Sequence, residues 1–314
     1  MHVWRDAIAN ATLLYATLSF AAAVAAPGTW SQGPQLPTAR SEVAVTALGN
    51  RIYVIGGYAS GNVDQSLVQT FDVSTGKWNN VAPLPRGLNH VGAATFDGRI
   101  YTFGGFDEQN RGAVTDANAY DPRTDRWTPI APLPRGLGSI SVAVLDGRIH
   151  LVGGRDQHSV TTHLVYDPST NVYATAAPLP IGRDHMGLVA FGERLYAIGG
   201  RIDNPGHNTS YVDIYDPSNS RWSQGSPMPS RRSGMAVAVY ANRIFAIGGE
   251  YNGGIFTNNE AYDPRTNSWS TFAPLPEGRH GTGAVAIDHR LYIPAGAPVN
   301  GGSRQSATLD IFTL

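Results

Sequence analysis

Three charged residues stand directly after pairs of glycines, and their side chains are those of a polar binding site. Arg155 and Arg201 each follow Gly-Gly, and so does Glu250. An arginine offers a planar fork of donors that matches a carboxylate, and a glutamate can transfer a proton. If the fold brings the three together, they suit a polar or carboxylate-bearing ligand, with Glu250 as the candidate catalytic residue.

The glycine pairs belong to a repeat that runs through the chain. The second glycine recurs at positions 57, 105, 154, 200, 249 and 296, with spacings of 46 to 49 residues. An aromatic residue follows each pair, and in five copies a second aromatic stands seven residues further on, as in Phe71 and Trp78. A period of about 50 residues is typical of the blades of a β-propeller.

Each copy has the pattern of four short strands. In the second copy we predict strands at 91–96, 99–105, 116–121 and 126–130, joined by Asp-Gly and Asp-Pro turns. The sixth copy stops at Leu314 without its second aromatic, while Trp30 stands unused before the first copy. We therefore predict that an N-terminal strand completes the sixth blade and closes the ring, which removes exposed strand edges.

The double glycine, the downstream tyrosine and the tryptophan seven residues beyond it resemble the Kelch repeat. The resemblance implies an all-β fold, a six-bladed Kelch β-propeller of four-stranded blades over residues 27–314. It also implies that the glycines lie where a bulky aromatic packs closely. Propellers host unrelated activities, so the resemblance indicates the fold and leaves the function open.

In Kelch propellers two repeat positions face a pocket at the end of the central channel, and this implies a ligand site here. The first position directly follows the glycines and holds Tyr58, Phe106, Arg155, Arg201, Glu250 and Ala297. The second lies near the start of each innermost strand and holds Ser41, Asn89, Gly138, Asp184, Ser233 and His280. The aromatic members could stack on a sugar ring or an apolar side chain. By contrast, an arginine opens the second strand of all six copies, which favours a structural role or a solvated rim.

The histidines could bind a metal, but their spacing argues against it. His90 and His185 occupy one repeat position, and His280 lies one residue earlier in its own copy. Because neighbouring residues of a strand face opposite ways, we expect the three not to converge. His158 and His163 show no metal-binding spacing, and no P-loop, nucleophile elbow or dinucleotide motif is present. We expect no metal and no cofactor.

Three functions are compatible with these residues. The leading prediction is an exported monomer that binds a carbohydrate, peptide or protein ligand in its axial pocket. The layout is also similar to the periplasmic Kelch epimerases that interconvert anomers of sialic acid, which implies Glu250 as acid or base and an arginine as the carboxylate clamp. A third interpretation is a structural partner that uses the propeller rim. If the charges only satisfy one another, the pocket is a water-filled funnel.

The amino-acid composition limits the classes of binding partner and of catalytic chemistry to be expected. The net charge is −1 and 15% of residues are charged, which gives no reason to expect nucleic acid or an anionic membrane as a partner. The chain has no cysteine, so disulfides are excluded. Galactose oxidase resembles this fold, but its radical copper site needs a cysteine crosslinked to a tyrosine, and that chemistry is therefore excluded as well.

The N-terminal segment is unlike the repeats. Arg5 precedes a run of apolar and small residues that ends in Ala23-Val24-Ala25, a small-x-small cleavage pattern. The run is too short and too rich in alanine for a membrane span. We predict a signal peptide over residues 1–26 and a secreted or periplasmic protein.

Overall fold

Six antiparallel sheets of four strands each form the fold that a computed structural model describes for residues 26–314. The predicted all-β architecture of six four-stranded blades is confirmed. Within those residues no helix is long and apolar enough to cross a bilayer. The predicted signal peptide, except for its final residue, lies outside the described residues and stays a prediction.

Each blade runs from an innermost strand at the axis to an outer strand at the rim, as the sheet orders show. The strands of blades 1 to 3 are, in order from the axis, Ala44–Leu48, Arg51–Ile55, Val68–Asp72 and Lys77–Val81; Gly92–Phe96, Arg99–Phe103, Ala117–Asp121 and Arg126–Pro129; and Ser141–Leu145, Arg148–Val152, His163–Asp167 and Val172–Thr175. Those of blades 4 to 6 are Gly187–Phe191, Arg194–Ile198, Val212–Asp216 and Arg221–Gln224; Ala236–Tyr240, Arg243–Ile247, Asn259–Asp263 and Ser268–Thr271; and Val285–Ile287, Arg290–Pro294, Leu309–Thr313 and Thr29–Gln32.

Shorter elements connect the second and third strands of several blades on one face of the ring. Three two-stranded hairpins pair Tyr58–Ala59 with Val63–Asp64, Phe106–Asp107 with Gly112–Ala113, and Glu250–Tyr251 with Gly254–Ile255. A single turn of 3-10 helix, Pro205–His207, lies in the corresponding segment of blade 4.

The N-terminal strand closes the ring as predicted. Thr29–Gln32 pairs antiparallel with Leu309–Thr313, and Trp30 stands opposite Phe312 in the register. The two rings lie 4.9 Å apart between centroids, and the indole nitrogen of Trp30 donates to the carbonyl of Ala273 in blade 5 at 2.8 Å. The first and last strands of the propeller therefore share one sheet, and blade 6 has the same outer strand as the other blades.

The second aromatic residue of each repeat also links its blade to the preceding blade through a hydrogen bond. In all six blades it donates a hydrogen bond of 2.8 to 2.9 Å to a carbonyl just beyond the outer strand of the preceding blade. The donors are Trp30, Trp78, Trp127, Tyr173, Trp222 and Trp269. The first aromatic packs between blades, as where Tyr120 lies 6.0 Å from Tyr53. The spacing of these aromatics thus reflects contacts between blades as well as within them.

The glycine pairs have a different cause from the one the resemblance implied, and the expectation of a close aromatic is wrong. Gly56 and Gly57 have φ values of +61° and +89°, which L side chains rarely adopt. A Cβ on Gly56 would lie 2.5 Å from the carbonyl oxygen of Leu88 in the next blade, and one on Gly57 would lie 2.4 Å from that of Ser41. The pairs are required by left-handed backbone and by close approach of carbonyl groups.

Buried arginines, which the sequence analysis missed, donate in four blades to carbonyls near the end of the second strand or to that of the first glycine after it. They are Arg40, Arg183, Arg232 and Arg279, each at most 1% exposed. Nη1 of Arg183 lies 2.7 Å from Oδ2 of Asp213, and its Nε donates to the carbonyl of Gly199 at 3.0 Å. In blade 3 the same two positions hold Leu137 and Leu164. Blade 3 therefore has neither the buried arginine nor the aspartate that pairs with it. Of the six arginines that open the second strands, five are instead exposed to solvent, as where Arg148 pairs with Asp167 at 3.0 Å.

Candidate ligand-binding site on the propeller axis

The two repeat positions proposed from sequence pair with each other in every blade. Each residue after the glycines forms an antiparallel bridge with the residue near the start of the innermost strand of its own blade. The pairs are Ser41 with Tyr58, Asn89 with Phe106, Gly138 with Arg155, Asp184 with Arg201, Ser233 with Glu250, and His280 with Ala297. The bridges place both sets on one face of the ring, where the innermost strands begin.

A ring of left-handed residues lies directly beside these bridges. The residue after each member of the second set has a φ between +50° and +64°, namely Glu42, His90, Ser139, His185, Gly234 and Gly281. Backbone hydrogen bonds link them between blades, with His90 N–H donating to Glu42 at 3.0 Å and Gly281 N–H to Gly234 at 2.9 Å. Four of the six carry side chains despite the strain of this conformation, which is a feature of functional sites.

The strained residues bring histidines together that were expected to stay apart. His90 and His185 have their ring centroids 4.8 Å apart, and His280 and His90 both contact Glu42. The expectation that these histidines do not converge is wrong. Strand alternation applies to extended backbone, whereas His90 and His185 have φ values of 51° and 52°.

Arg201 is the centre of the charged half of the site. Its Nη1 donates to Oε1 of Glu250 at 2.5 Å, and its Nε to Oδ1 of Asp184 at 3.1 Å. Its Nη2 lies 2.9 Å from Nε2 of His185, whose Nδ1 faces Oδ1 of Asp184. Arg201, Asp184 and Glu250 therefore converge as the sequence suggested, but the charge of Arg201 is already compensated by two carboxylates.

The other members of the charged half are Glu42 and His280. Nε2 of His280 lies 3.2 Å from Oε1 of Glu42 and 3.5 Å from Oε2 of Glu250, while its Nδ1 faces the carbonyl of Ala297 at 3.2 Å. Burial would lower the pKa of His280, but the two carboxylates raise it, so the imidazolium is favoured. Burial would raise the pKa of Glu42, but His90 and His280 hold it well below its usual range.

His185 has the opposite protonation preference. Burial first, and then the positive charge of Arg201, lowers the pKa of His185 to about 3. The neutral ring donates from Nδ1 to Asp184 and accepts from Arg201 at Nε2. Although burial opposes it, the pKa of Asp184 is lowered by its contacts with His185 and Arg201. The site therefore contains ionised carboxylates, a neutral His185 and at least two cations.

Arg155 lies apart from this network. Its guanidinium carbon is 5.2 Å from the centroid of the Phe106 ring, on the aromatic side of the site. Among residues 26–314 it forms no ion pair, and its Nε is buried without a hydrogen-bond partner. The Tyr58 hydroxyl donates to Oδ1 of Asn110 at 2.8 Å, and burial raises the pKa of that hydroxyl. Arg155, Phe106 and Tyr58 form the aromatic half of the site.

Several predicted site residues are enclosed by protein. Ser41, Asn89, Ser233 and His280 are all 0% exposed. Asn89 is tied down by its Nδ2, which donates to Oδ1 of Asp64 at 2.6 Å, and its Oδ1 faces Nδ1 of His90. In this structure such residues orient their neighbours, so their contact with a ligand stays a prediction.

A cavity of about 120 Å³ lies beneath the ring of left-handed residues and is lined by Glu42, Val43, His90, Val91, Ser139, Ile140, Ser141, His185, Met186, Gly234, Met235, Gly281 and Thr282. Glu42 was missed by the sequence analysis. The sequence did contain a signal for Glu42 as a site residue, because Glu42 occupies the same repeat position as His90 and His185.

Comparison with known proteins agrees with this architecture. A family model described as the KLHDC2/KLHL20/DRC7 Kelch-repeats domain matches residues 27–179, and the Kelch motif matches residues 182–229 and 231–276. The structure titled "Structure of YjhT" superposes with a TM-score of 0.79 at 18% identity, covering 90% of this chain and 97% of that one, which shows a shared fold. No curated protein matches. The chain belongs to the Kelch-repeat proteins.

Proposed function

We propose that this Kelch propeller binds a small carboxylate-bearing ligand at the axial site, with Arg155 as the cation that receives the carboxylate. One observation carries the proposal. Arg155 is half-buried and has no acidic partner among residues 26–314, whereas Arg201 at the same repeat position has two. A partly buried cation without a counter-charge is costly, and a ligand carboxylate would compensate it.

The aromatic half of the site supports a ligand with a ring or an apolar body. Phe106 is 1% exposed and lies under the guanidinium of Arg155, while Tyr58 is 4% exposed and, like Phe106, packs edge-on against His90. Neither ring presents a free face in this structure, so a sugar ring or an apolar side chain would pack against Phe106 only when Arg155 turns towards the ligand carboxylate and uncovers it. We therefore propose an acidic carbohydrate as the ligand, with an acidic peptide as the competing outcome of the test.

The test is a ligand screen by thermal shift followed by calorimetry. Sialic acids, uronic acids, neutral oligosaccharides and acidic peptides are compared on the protein that begins at Ala26. An acidic sugar is expected to raise the melting temperature, because a ligand that binds only the folded state stabilises it by mass action. Arg155→Ala is expected to weaken its binding by about 1–3 kcal/mol, the scale of a charged hydrogen bond.

The matched control is Arg148→Ala in the same blade, since Arg148 is 47% exposed and pairs with Asp167 at the rim. Its affinity is expected to equal that of the parent protein. If Arg155→Ala binds every identified ligand as well as the parent does, the axial proposal is wrong. If only peptides bind, the acidic-sugar assignment is wrong and the site assignment stands.

The alternative is an enzyme that exchanges anomers of a sialic-acid-like sugar, with Glu250 as acid or base. The side chain of Glu250 is 4% exposed, and its two oxygens face Arg201 and His280. Both oxygens of this carboxylate are therefore already engaged by protein groups, and for this reason binding without turnover is the preferred proposal. NMR of freshly dissolved sugar decides between them: exchange above the spontaneous rate that is abolished in Glu250→Gln would establish the enzyme.

Export is part of the proposal because the N-terminal residues have the composition of a signal peptide. The mature protein is expected to begin near Ala26 and to be recovered outside the cytoplasm. N-terminal sequencing of the protein from its native host checks this, and an intact Met1 on a cytoplasmic product would contradict it.

A further inference from the structure

We propose that Glu42, His90 and His185, from blades 1, 2 and 4, form a site for a divalent transition-metal ion on the propeller axis. One donor atom from each residue lies within 4.8 Å of the other two. Two imidazoles and a carboxylate favour Zn²⁺ and its neighbours over Mg²⁺ or Ca²⁺, which prefer oxygen ligands. An ion lies about 2.0–2.2 Å from each donor in a formed site, so binding would draw the three side chains inward.

The residues behind both histidines orient them as metal ligands are oriented. Nδ1 of His90 faces Oδ1 of Asn89, and Nδ1 of His185 faces Oδ1 of Asp184. A metal-binding histidine commonly donates its other ring N–H to such an acceptor, which fixes the tautomer and leaves a lone pair for the ion. Here both Nε2 atoms are the ones left for the axis.

Nε2 of His90 faces a carboxylate oxygen of Glu42, and the two atoms can share an ion. Nδ2 of Asn89 donates to Asp64 and to the carbonyl of Phe106, at 2.6 and 3.1 Å, so its Oδ1 is the acceptor for His90. Nε2 of His90 then lies 3.0 Å from Oε2 of Glu42. An imidazole nitrogen and a carboxylate oxygen that face each other in this way can both bind one divalent ion.

A positive group already occupies the corresponding position on His185. Nη2 of Arg201 lies 2.9 Å from Nε2 of His185, where the ion would bind. Asp184 and Glu250 accept from the other two nitrogens of Arg201. The guanidinium can therefore release His185 and keep both ion pairs, so Arg201 acts as a competitor of the metal at this ligand.

The cavity provides a position for a further ligand. Its lining includes all three donors together with Ser139. Within the described chain, Oγ of Ser139 is buried without a hydrogen-bond partner. A water or a ligand atom can complete the coordination from this side, as in zinc sites that keep one position open.

The test uses the protein dialysed against a chelator and titrated with Zn²⁺ by calorimetry, with Co²⁺ absorbance as a report of the ligand set. We expect one ion per chain. His90→Gln and His185→Gln should each lower the affinity by at least 10-fold, whereas His207→Gln, at an exposed histidine, should not change it. Arg201→Gln should raise the affinity, because it removes the competing cation.

The expected gain of Zn²⁺ affinity in Arg201→Gln, against a loss in the histidine variants, distinguishes a built site from adventitious binding. No saturable binding of Zn²⁺ to the parent protein would overturn the proposal, and so would an equal loss in His207→Gln. An Arg201→Gln protein that binds more weakly than the parent would overturn the competition argument. Circular dichroism establishes that each variant is folded, and Arg201→Met substitutes if Arg201→Gln is not. If the histidine variants do not fold, the absence of saturable binding to the parent protein still overturns the proposal, and a gain of affinity in the Arg201 variant still supports it.

Discussion

The guanidinium of Arg155 lies 5.2 Å from the ring centroid of Phe106, in the neighbouring blade. Arg201 stands at the same repeat position one blade later, yet it is held between Asp184 and Glu250. Two differences between the blades account for this: Arg201 contacts Glu250 of the following blade and has Asp184 opposite it in its own blade, whereas Arg155 lies over Phe106 of the preceding blade and has Gly138 in place of the aspartate. One repeat position thus holds one arginine available to a ligand and another that is already paired.

The two arginines are expected to differ in their effect on stability. Arg201→Ala removes the partner of two buried carboxylates and should lower the free energy of unfolding by about 3–5 kcal/mol. Arg155→Ala loses only its contact with Phe106 and should cost about 0.5–1 kcal/mol. Urea unfolding of both variants measures this, and equal losses would contradict the assignment of roles.

Blade 3 indicates how the buried ion pair of blade 4 can be replaced. Asp213→Leu alone leaves Arg183 charged and buried, and should destabilise by about 3–5 kcal/mol. The double variant with Arg183→Leu reproduces the Leu137 and Leu164 arrangement of blade 3 and should recover most of that loss. The carbonyl of Gly199 keeps a donor, because Oγ1 of Thr209 lies 3.0 Å from it. Chemical denaturation is the measurement, and a double variant as unstable as the single one would refute the interpretation.

The pair His150 and His163 should make stability depend on pH. Their nitrogens lie 2.9 Å apart, and burial, reinforced by His163, lowers the pKa of His150 from 6.5 to about 4. Between those values the unfolded chain binds a proton that the folded protein does not. The free energy of unfolding is therefore unaffected by this pair above about pH 6.5 and falls by about 3 kcal/mol as the pH falls towards 4.

A repeat-based variant tests this dependence. Tyrosine occupies the position of His150 in four other blades, as at Tyr53, and valine occupies that of His163 in two, as at Val68. His150→Tyr combined with His163→Val should flatten the fall of unfolding free energy between pH 6.5 and 4. The exposed His207→Gln serves as the control and should leave the slope unchanged. An unaltered slope in the double variant would show that other groups cause it.

Removal of the closing strand should cost more than any single side chain. Deletion of residues 26–34 exposes the edge of Leu309–Thr313 and uncovers Phe312, which is 0% exposed in the closed ring. Compared with the protein that begins at residue 26, the deletion should unfold at clearly lower denaturant concentration and should self-associate. Unchanged unfolding and a monomeric elution profile would rule out closure by this strand.

The fold could be predicted from the sequence because the six copies of the repeat can be compared with one another. The tryptophan left over at position 30 predicted the strand that pairs with Phe312. The same comparison among copies placed Tyr58 and Ser41 on one face, where they form a bridge. A position that holds the same residue type in most blades reports a contact made in most blades.

The side-chain contacts of the site were harder to predict from the sequence because they differ from blade to blade. The histidine expectation failed since it assumed extended backbone, and the positive φ of His90 and His185 turns both rings towards the axis. Glu42 was missed because its role depends on histidines from other blades. The contacts between blades that the repeat does report, such as those of the second aromatic residue, recur in every blade, whereas these pairings on the axis occur only once.

The pairing of Trp30 with Phe312 also determines when the ring can close during synthesis of the chain. During synthesis, the outer strand of blade 6 emerges from the ribosome before every other strand of the propeller, and its partner emerges after all of them. The nascent chain must keep residues 29–32 unpaired, or transiently occupied elsewhere, while five complete blades are made. Closure is the final step, and a chain truncated before residue 309 remains an open arc with two unpaired edges, which a quality-control protease can recognise.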